Sequence, residues 1–442
     1  MSDGDPFDEA RHAIAAGRWG AAVRSLDAVP ECGDSPAGLE LLAEAAYADG
    51  QFERSVAAWE RRHEVCAAAG DADEAARSAA MVAMFLMMDT GLMAPVRGWL
   101  SRADRLLVDR PESPAHAIIA MTRTYERFMC GDMVAAREQS SRAVELGARL
   151  GVQPAVVIGR VCAARVTIFE GDLEGGLAQL DEVGAWLMSG TVDPLTTGMM
   201  YCELICAAQG LALHQRANEW TDVMDRWRPG AAIGGISGRC RVHRAEMLRM
   251  TGPCDAAEQE ALAACDELRP WMRREFGWPL AELGMIRLRM GDLAGAEEAL
   301  VAAHEHAWSP HPGLALLKLE LGDLDAAQAL IREAIEHPFD IPSKERPPFG
   351  DLRMAPLYDA QVAIASRARD LSTSEAATVR LEHIADTYSS PSLRAGAAVA
   401  RARTALLAGD LDRAAAAASH AAAEWSSVGA PFEVATCRLV LG

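Results

Sequence analysis

The residues in this chain best suited to recognition chemistry are Arg239, Arg241, His243, Arg244 and Glu246, five side chains able to ionise or pair within eight positions. On a helix Arg241 and Arg244 share a face, as do His243 and Glu246, because residues three apart are neighbours there. Guanidinium groups placed together hold carboxylates or other anions through paired hydrogen bonds. Trp220 and Trp227 lie on the preceding helical stretch, where they can wall the same pocket. Two readings fit the cluster: a ligand site, or a salt-bridge network tying neighbouring helices together.

Other groups carry weaker chemistry. His304, His306 and His311 with Glu305 form the densest histidine group. Residues two apart on a helix point to different sides, a poor geometry for one metal ion, and the expectation is a solvated helix end. Cys202 and Cys206 are one helical turn apart with no third ligand beside them, and they read as core thiols. Met81, Met84, Met87, Met88 and Met93 fit either an adaptable apolar pocket or plain core. No Gly-x-Ser-x-Gly, His-Glu-x-x-His, phosphate loop or dinucleotide loop occurs, so neither catalysis nor a cofactor is expected.

Such residues need a scaffold, and the chain repeats one. Glycine, any residue, a bulky apolar residue, two of any kind and then a small residue recur: Gly17 to Ala22, Gly50 to Ser55, Gly131 to Ala136, Gly171 to Gly176, Gly291 to Ala296, Gly322 to Ala327 and Gly409 to Ala414. Gly91 and Gly252 open weaker copies. Glycine ends one helix in the left-handed region that other residues avoid. The Asp that follows in five copies can cap the next helix. The bulky residue is expected to plug the angle between the helices, and the small one to let them close.

Gly17 to Gly50 is 33 residues and Gly291 to Gly322 is 31, whereas Gly91 to Gly131 and Gly131 to Gly171 are 40 each. The first pair approaches the ~34 of a tetratricopeptide repeat, and the second is elongated. After Gly322, Leu324, Ala327, Leu330, Ile331, Ala334 and Ile335 recur at three- and four-residue steps. No stretch alternates at period two. The fold expected is all-α, a right-handed superhelical solenoid of tetratricopeptide-like helix-turn-helix repeats, with roughly ten to twelve helix pairs.

Breaks at 187–200, at the glycine-rich 228–238 and at 338–352, with Pro338, Pro342, Pro347 and Pro348, divide the chain into repeats 1–186, 187–337 and 338–442. The last repeat reads as incomplete. Leu439, Val440 and Leu441 make a poor cap for a solenoid, so a continuation beyond Gly442 is expected.

Among 442 residues, 63 are acidic and 43 basic, a net charge of −20. A surface this acidic repels phosphate backbones, which excludes a DNA platform. The longest apolar run, Ala79 to Met88, is too short to span a membrane and reads as a buried helix. No signal peptide is visible, and the ten scattered cysteines show no disulfide or zinc spacing. Free thiols in a reducing cytoplasm are expected.

The segments Gly238 to Glu246, Pro312 to Leu317 and Gly429 to Ala435 resemble the tetratricopeptide sensor region of LuxR-type bacterial transcriptional regulators, the MalT-like group. The resemblance covers most of the chain and is clearest from Trp220 onward. It implies sensing of a small-molecule effector, or of a protein or peptide in the concave groove, together with oligomer contacts such as a homodimer. DNA would then be bound only by a domain absent from these residues. A freestanding interaction scaffold is the alternative.

Overall fold

The computed structural model describes residues 5–227, 234–268, 275–340, 348–388 and 390–441, with only the backbone of 234–237 and 441. Among them are twenty-three α-helices, two short 3-10 turns and no strand. Consecutive helices run antiparallel and pack as pairs, as the repeat pattern predicts. The elongated repeats owe their length to their helices: Gln153–Phe169 has 17 residues and Met133–Leu150 has 18.

The turn works as the sequence suggests. All seven strong-copy glycines have positive φ, from 68° at Gly17 to 101° at Gly171. Gly91 shares this conformation at 60°, and the weak copy at Gly252 does not. All five Gly-Asp copies cap the following helix: the carboxylates of Asp132, Asp172, Asp292, Asp323 and Asp410 accept from backbone N–H groups three residues on, at 2.9–3.1 Å. The small residue of each copy is buried, from Ala22 to Ala414.

The bulky residue departs from expectation. Trp19 and Phe52 are buried, but Met133, Leu173, Leu293 and Leu324 are half-buried and Leu411 is 66% exposed. This residue opens the second helix, and a helical side chain leans towards the N-terminus, out over the turn. A large ring is buried from there, whereas Leu293 and Leu324 pack on the edge of the seam and stay half-exposed.

Beyond pairing, the first helix of each repeat packs on the first helix of the next. Ala72–Thr90, Pro114–Met129 and Gln153–Phe169 form one such row, and Gly277–Met290, Gly313–Glu320, Ala355–Ala368, Pro391–Leu407 and Pro431–Leu441 form another. First helices are therefore buried on most sides: twelve of the 17 residues of Gln153–Phe169 are buried, against five of the 16 in its partner Leu173–Met188. The Ala79 to Met88 run belongs to such a helix, and Met84, Met87 and Met88 are core.

The chain forms two compact units, one of Met1–Leu204 with Val223–Ser237 and Pro270–Met272, the other of Ile205–Asp222, Gly238–Arg269 and Arg273–Gly442. Pro194 opens a helix within the expected break at 187–200, capped by Asp193 accepting from the Thr196 N–H at 2.9 Å. Of the other expected breaks, 228–233 and 341–347, with Pro342 and Pro347, lie outside the described residues. No helix among the described residues is long and apolar enough to cross a membrane.

The seam sets a prediction. A Cβ added at Gly176 would lie 2.5 Å from Ile168 Cγ1 and 2.8 Å from the Ala164 carbonyl oxygen. Gly176→Ala should therefore lower stability by about 1–3 kcal/mol, the scale of overpacking. A calorimetric melt that shows no loss refutes the close approach.

Candidate functional site

In the second unit the row of first helices lines a groove of about 1570 Å³. Gly234–Thr251 supplies Glu246 and Arg249, and Gly277–Met290 supplies Trp278, Glu282, Met285 and Arg289. Leu316 and Glu320 come from Gly313–Glu320, Asp359, Ala363 and Ser366 from Ala355–Ala368, Arg403 from Pro391–Leu407, and Phe432 and Glu433 from Pro431–Leu441. Every first helix from the first of these to the last thus contributes. That follows from the stacking: the free faces of first helices meet on the inside, and the ends of second helices add Leu293, His304, Glu333 and Trp425 to the wall.

An aromatic row runs along the early part of the groove. The His243 ring meets Trp278 edge-on at 4.9 Å, Trp278 stacks on Trp308 at 6.3 Å, and Trp308 meets Phe339 at 5.4 Å. Trp278 opens the first helix Gly277–Met290, and Trp308 lies in the connection that leads into the next one, Gly313–Glu320.

Charged side chains bridge successive first helices. Arg249 donates to both oxygens of Glu282, at 2.5 and 3.3 Å. Glu246 accepts from Trp278 Nε1 at 3.1 Å and Gln209 Nε2 at 3.0 Å. Burial pushes the Glu246 carboxyl above its ordinary range, and repulsion from Glu282 adds to this against the pull of His243 and Arg249. Burial also raises Glu282, although Arg249 opposes it. Desolvation lowers half-buried His214 to about 4, and the charge of Arg249 adds to this. Asp359 is raised by burial, with Arg403 pulling it down and Glu433 pushing it up.

The residues singled out from sequence lie mostly behind this groove. Arg239 is 1% exposed and its Nε donates to Glu275 at 2.9 Å. Arg241 donates to Glu267 at 2.7 Å and Glu260 at 2.8 Å, and Arg244 lies 3.6 Å from the other oxygen of Glu260. Arg241 and Arg244 do share a face, and it is turned to the second helix Cys254–Leu268. His243 and Glu246 also share one, 3.8 Å apart, and Glu246 lines the groove. Trp220 is half-buried, Trp227 packs against Tyr201 at 5.6 Å, and neither lines the groove.

His304 and His311 do line it, while His306 meets Phe276 edge-on at 4.5 Å. Burial lowers His311. Among the described residues no group of three or more His, Cys, Asp or Glu is placed to hold a metal ion. Cys202 and Cys206 are buried.

Arg249, Glu282, Arg289, Trp278, Trp308 and the Phe432–Glu433 pair escaped the sequence reading. One signal was available. Arg249 and Glu282 are 33 residues apart, a repeat spacing, and carry opposite charges on successive first helices.

No family model matches the chain, and no curated protein matches it. Solved structures align with it at low identity. Yeast Tom70 matches at 12% identity over 98% of this chain and 94% of its own, with a TM-score of 0.37. The APC/C heterotetramer Cut9–Hcn1 matches at 13% over 97% and 90%, with 0.39. A signal-transduction ATPase with a tetratricopeptide repeat sensor from Pyrococcus horikoshii matches at 12% over 74% and 48%, with 0.38. These alignments carry no argument about function; the repeat architecture stands on the helix packing itself.

Two measurements test the site. Glu282→Leu strands the mostly buried Arg249 and should cost about 3–5 kcal/mol, most of it recovered in Arg249→Leu/Glu282→Leu; urea melts in which the double variant is no better than the single one refute this. The raised Glu246 carboxyl keeps its proton longer folded than unfolded. Its contribution to stability is full below the ordinary value of 4.5 and is lost as pH rises through the raised folded value. The melting temperature should accordingly drop less in Glu246→Gln than in the parent between about pH 5 and about pH 7.5. Parallel pH profiles would contradict this.

Proposed function

We propose that this tetratricopeptide-like repeat protein is an interaction scaffold whose second-unit groove holds an extended segment of a partner protein. The observation that carries the reading is the groove itself: about 1570 Å³, lined by successive first helices and floored by a row of rings. Small-molecule pockets run to about 300–1,000 Å³, so this one suits a chain segment better than a metabolite. Rings in a row offer apolar contact at intervals, and the charged pairs between them hold polar groups in fixed places. The proposal is of a binding protein and not an enzyme.

The regulator reading gives the same groove to the sensor region of a LuxR-type protein, whose DNA-binding domain would be a further segment. It rests on Gly238 to Glu246, Pro312 to Leu317 and Gly429 to Ala435. Each of these has a packing duty here. A Cβ on Gly238 would meet Leu268 at 2.6 Å, one on Gly313 would meet Leu300 at 2.7 Å, and Gly429 ends its helix at φ 78°. Any stacked helix pair needs such residues, so they favour a repeat type more than a regulatory context. The scaffold reading is therefore preferred.

A displayed library of random dodecapeptides, selected on the full chain, tests the proposal. Leu316→Lys and Ala363→Arg, with helicity confirmed by circular dichroism, should each weaken the selected peptides by ~10-fold or more, which is 1.4 kcal/mol. Selected peptides indifferent to both substitutions would place binding elsewhere and end the groove reading.

A further inference from the structure

Arg289 breaks the pattern of the buried arginines around it. Arg249 meets a carboxylate on the next first helix, Arg239 meets Glu275, and in the first unit Arg165 meets Glu203; these partners are 33 to 38 residues away and mostly buried. Arg289 has no such partner on the next first helix, Gly313–Glu320. Its side chain, 8% exposed, reaches instead across the groove to Glu433, 144 residues on, with Nη2 to Oε1 at 2.9 Å.

The contact has the form of an occupied recognition site. The Arg289 guanidinium lies over the Phe432 ring at 3.9 Å and bonds the carboxylate of the next residue. Cation–π contact and a charge-assisted hydrogen bond together read an aromatic residue followed by an acid. Both occupants are open to water, Phe432 at 49% and Glu433 at 29%, unlike the core pairs. Arg289 Nε is buried with no hydrogen-bond partner among the described residues, so a donor of this fork is left over. Arg249, a like charge, faces it too, and burial with that repulsion holds Arg289 below its ordinary range despite Glu433.

We propose that Arg289 is the anchor of the groove, that it recognises a partner segment carrying an aromatic residue followed by Asp or Glu, and that Phe432–Glu433 is a tethered stand-in which such a segment displaces. This rests on the groove reading and specifies its partner. Tethering keeps the contact closed: Phe432 and Glu433 open a helix packed on the stack, so a free segment must displace an attached competitor. The terminal helix does not depend on the contact, since Cys437 packs with Ala398, Val399 and Ala421.

The probe is a fluorescein-labelled peptide with the sequence of residues 429–435, titrated against the full chain by polarisation. Phe432→Ala/Glu433→Gln vacates the anchor and should bind the probe at least ~10-fold more tightly than the parent. Adding Arg289→Gln should abolish that gain, and Arg289→Lys, which keeps the charge but not the fork, should recover only part of it. Thermal melts confirm that each variant is folded. Equal affinity of parent and double variant, or a gain that survives Arg289→Gln, overturns the inference. The displayed library separates the two levels. Peptides that need Leu316 but ignore Arg289 remove this anchor and leave the groove reading in place, whereas peptides indifferent to both remove the two together.

Discussion

The structure depends on one constraint: a helix with small or apolar residues on most of its faces cannot stand in water alone. The first helix of each repeat is of this kind, as the twelve buried residues of Gln153–Phe169 show. It is covered by its own second helix, by the second helix before it and by the neighbouring first helices. Stacking is thus obligatory, and the groove is its consequence, since the one face left over from every first helix falls on the same side.

An alanine-rich seam has little to stop neighbouring helices sliding by a turn. The charged bridges supply what the seam lacks. A two-point Arg249–Glu282 pair is satisfied at one register and at no other, and so is Arg239 on Glu275. Buried ion pairs contribute little net stability compared with apolar replacements of similar volume. Their effect here is to fix which turn of one helix faces which turn of the next, and so where the groove residues stand.

What could be read from sequence was what is local. Gly-Asp-x-x-x-Ala encodes a left-handed turn, a cap and a close seam within six residues, and all three are present at Gly291–Ala296. The bulky residue of the same motif was misjudged because its burial depends on side-chain reach, as Trp19 and Leu411 show at the two extremes. The Arg239 to Glu246 cluster was visible as charge, but its destinations were not: Glu260, Glu267 and Glu275 lie 19 to 36 residues away, on other elements. A groove assembled from Glu246 through Glu433 has no compact signature in the chain at all.

The groove is not uniform, and the reason is what each first helix offers its neighbour. Arg249 finds a buried carboxylate, Glu282, on the next first helix, and the Glu246, Arg249 and Glu282 end is closed in this way. Gly313–Glu320 gives Arg289 no such carboxylate, and Arg289 pairs with Glu433 across the groove instead. A regular repeat would have consumed that arginine in packing. Selectivity in a stack of near-identical units must come from such an irregularity, because only there does a buried charge face something other than the next copy of the same helix.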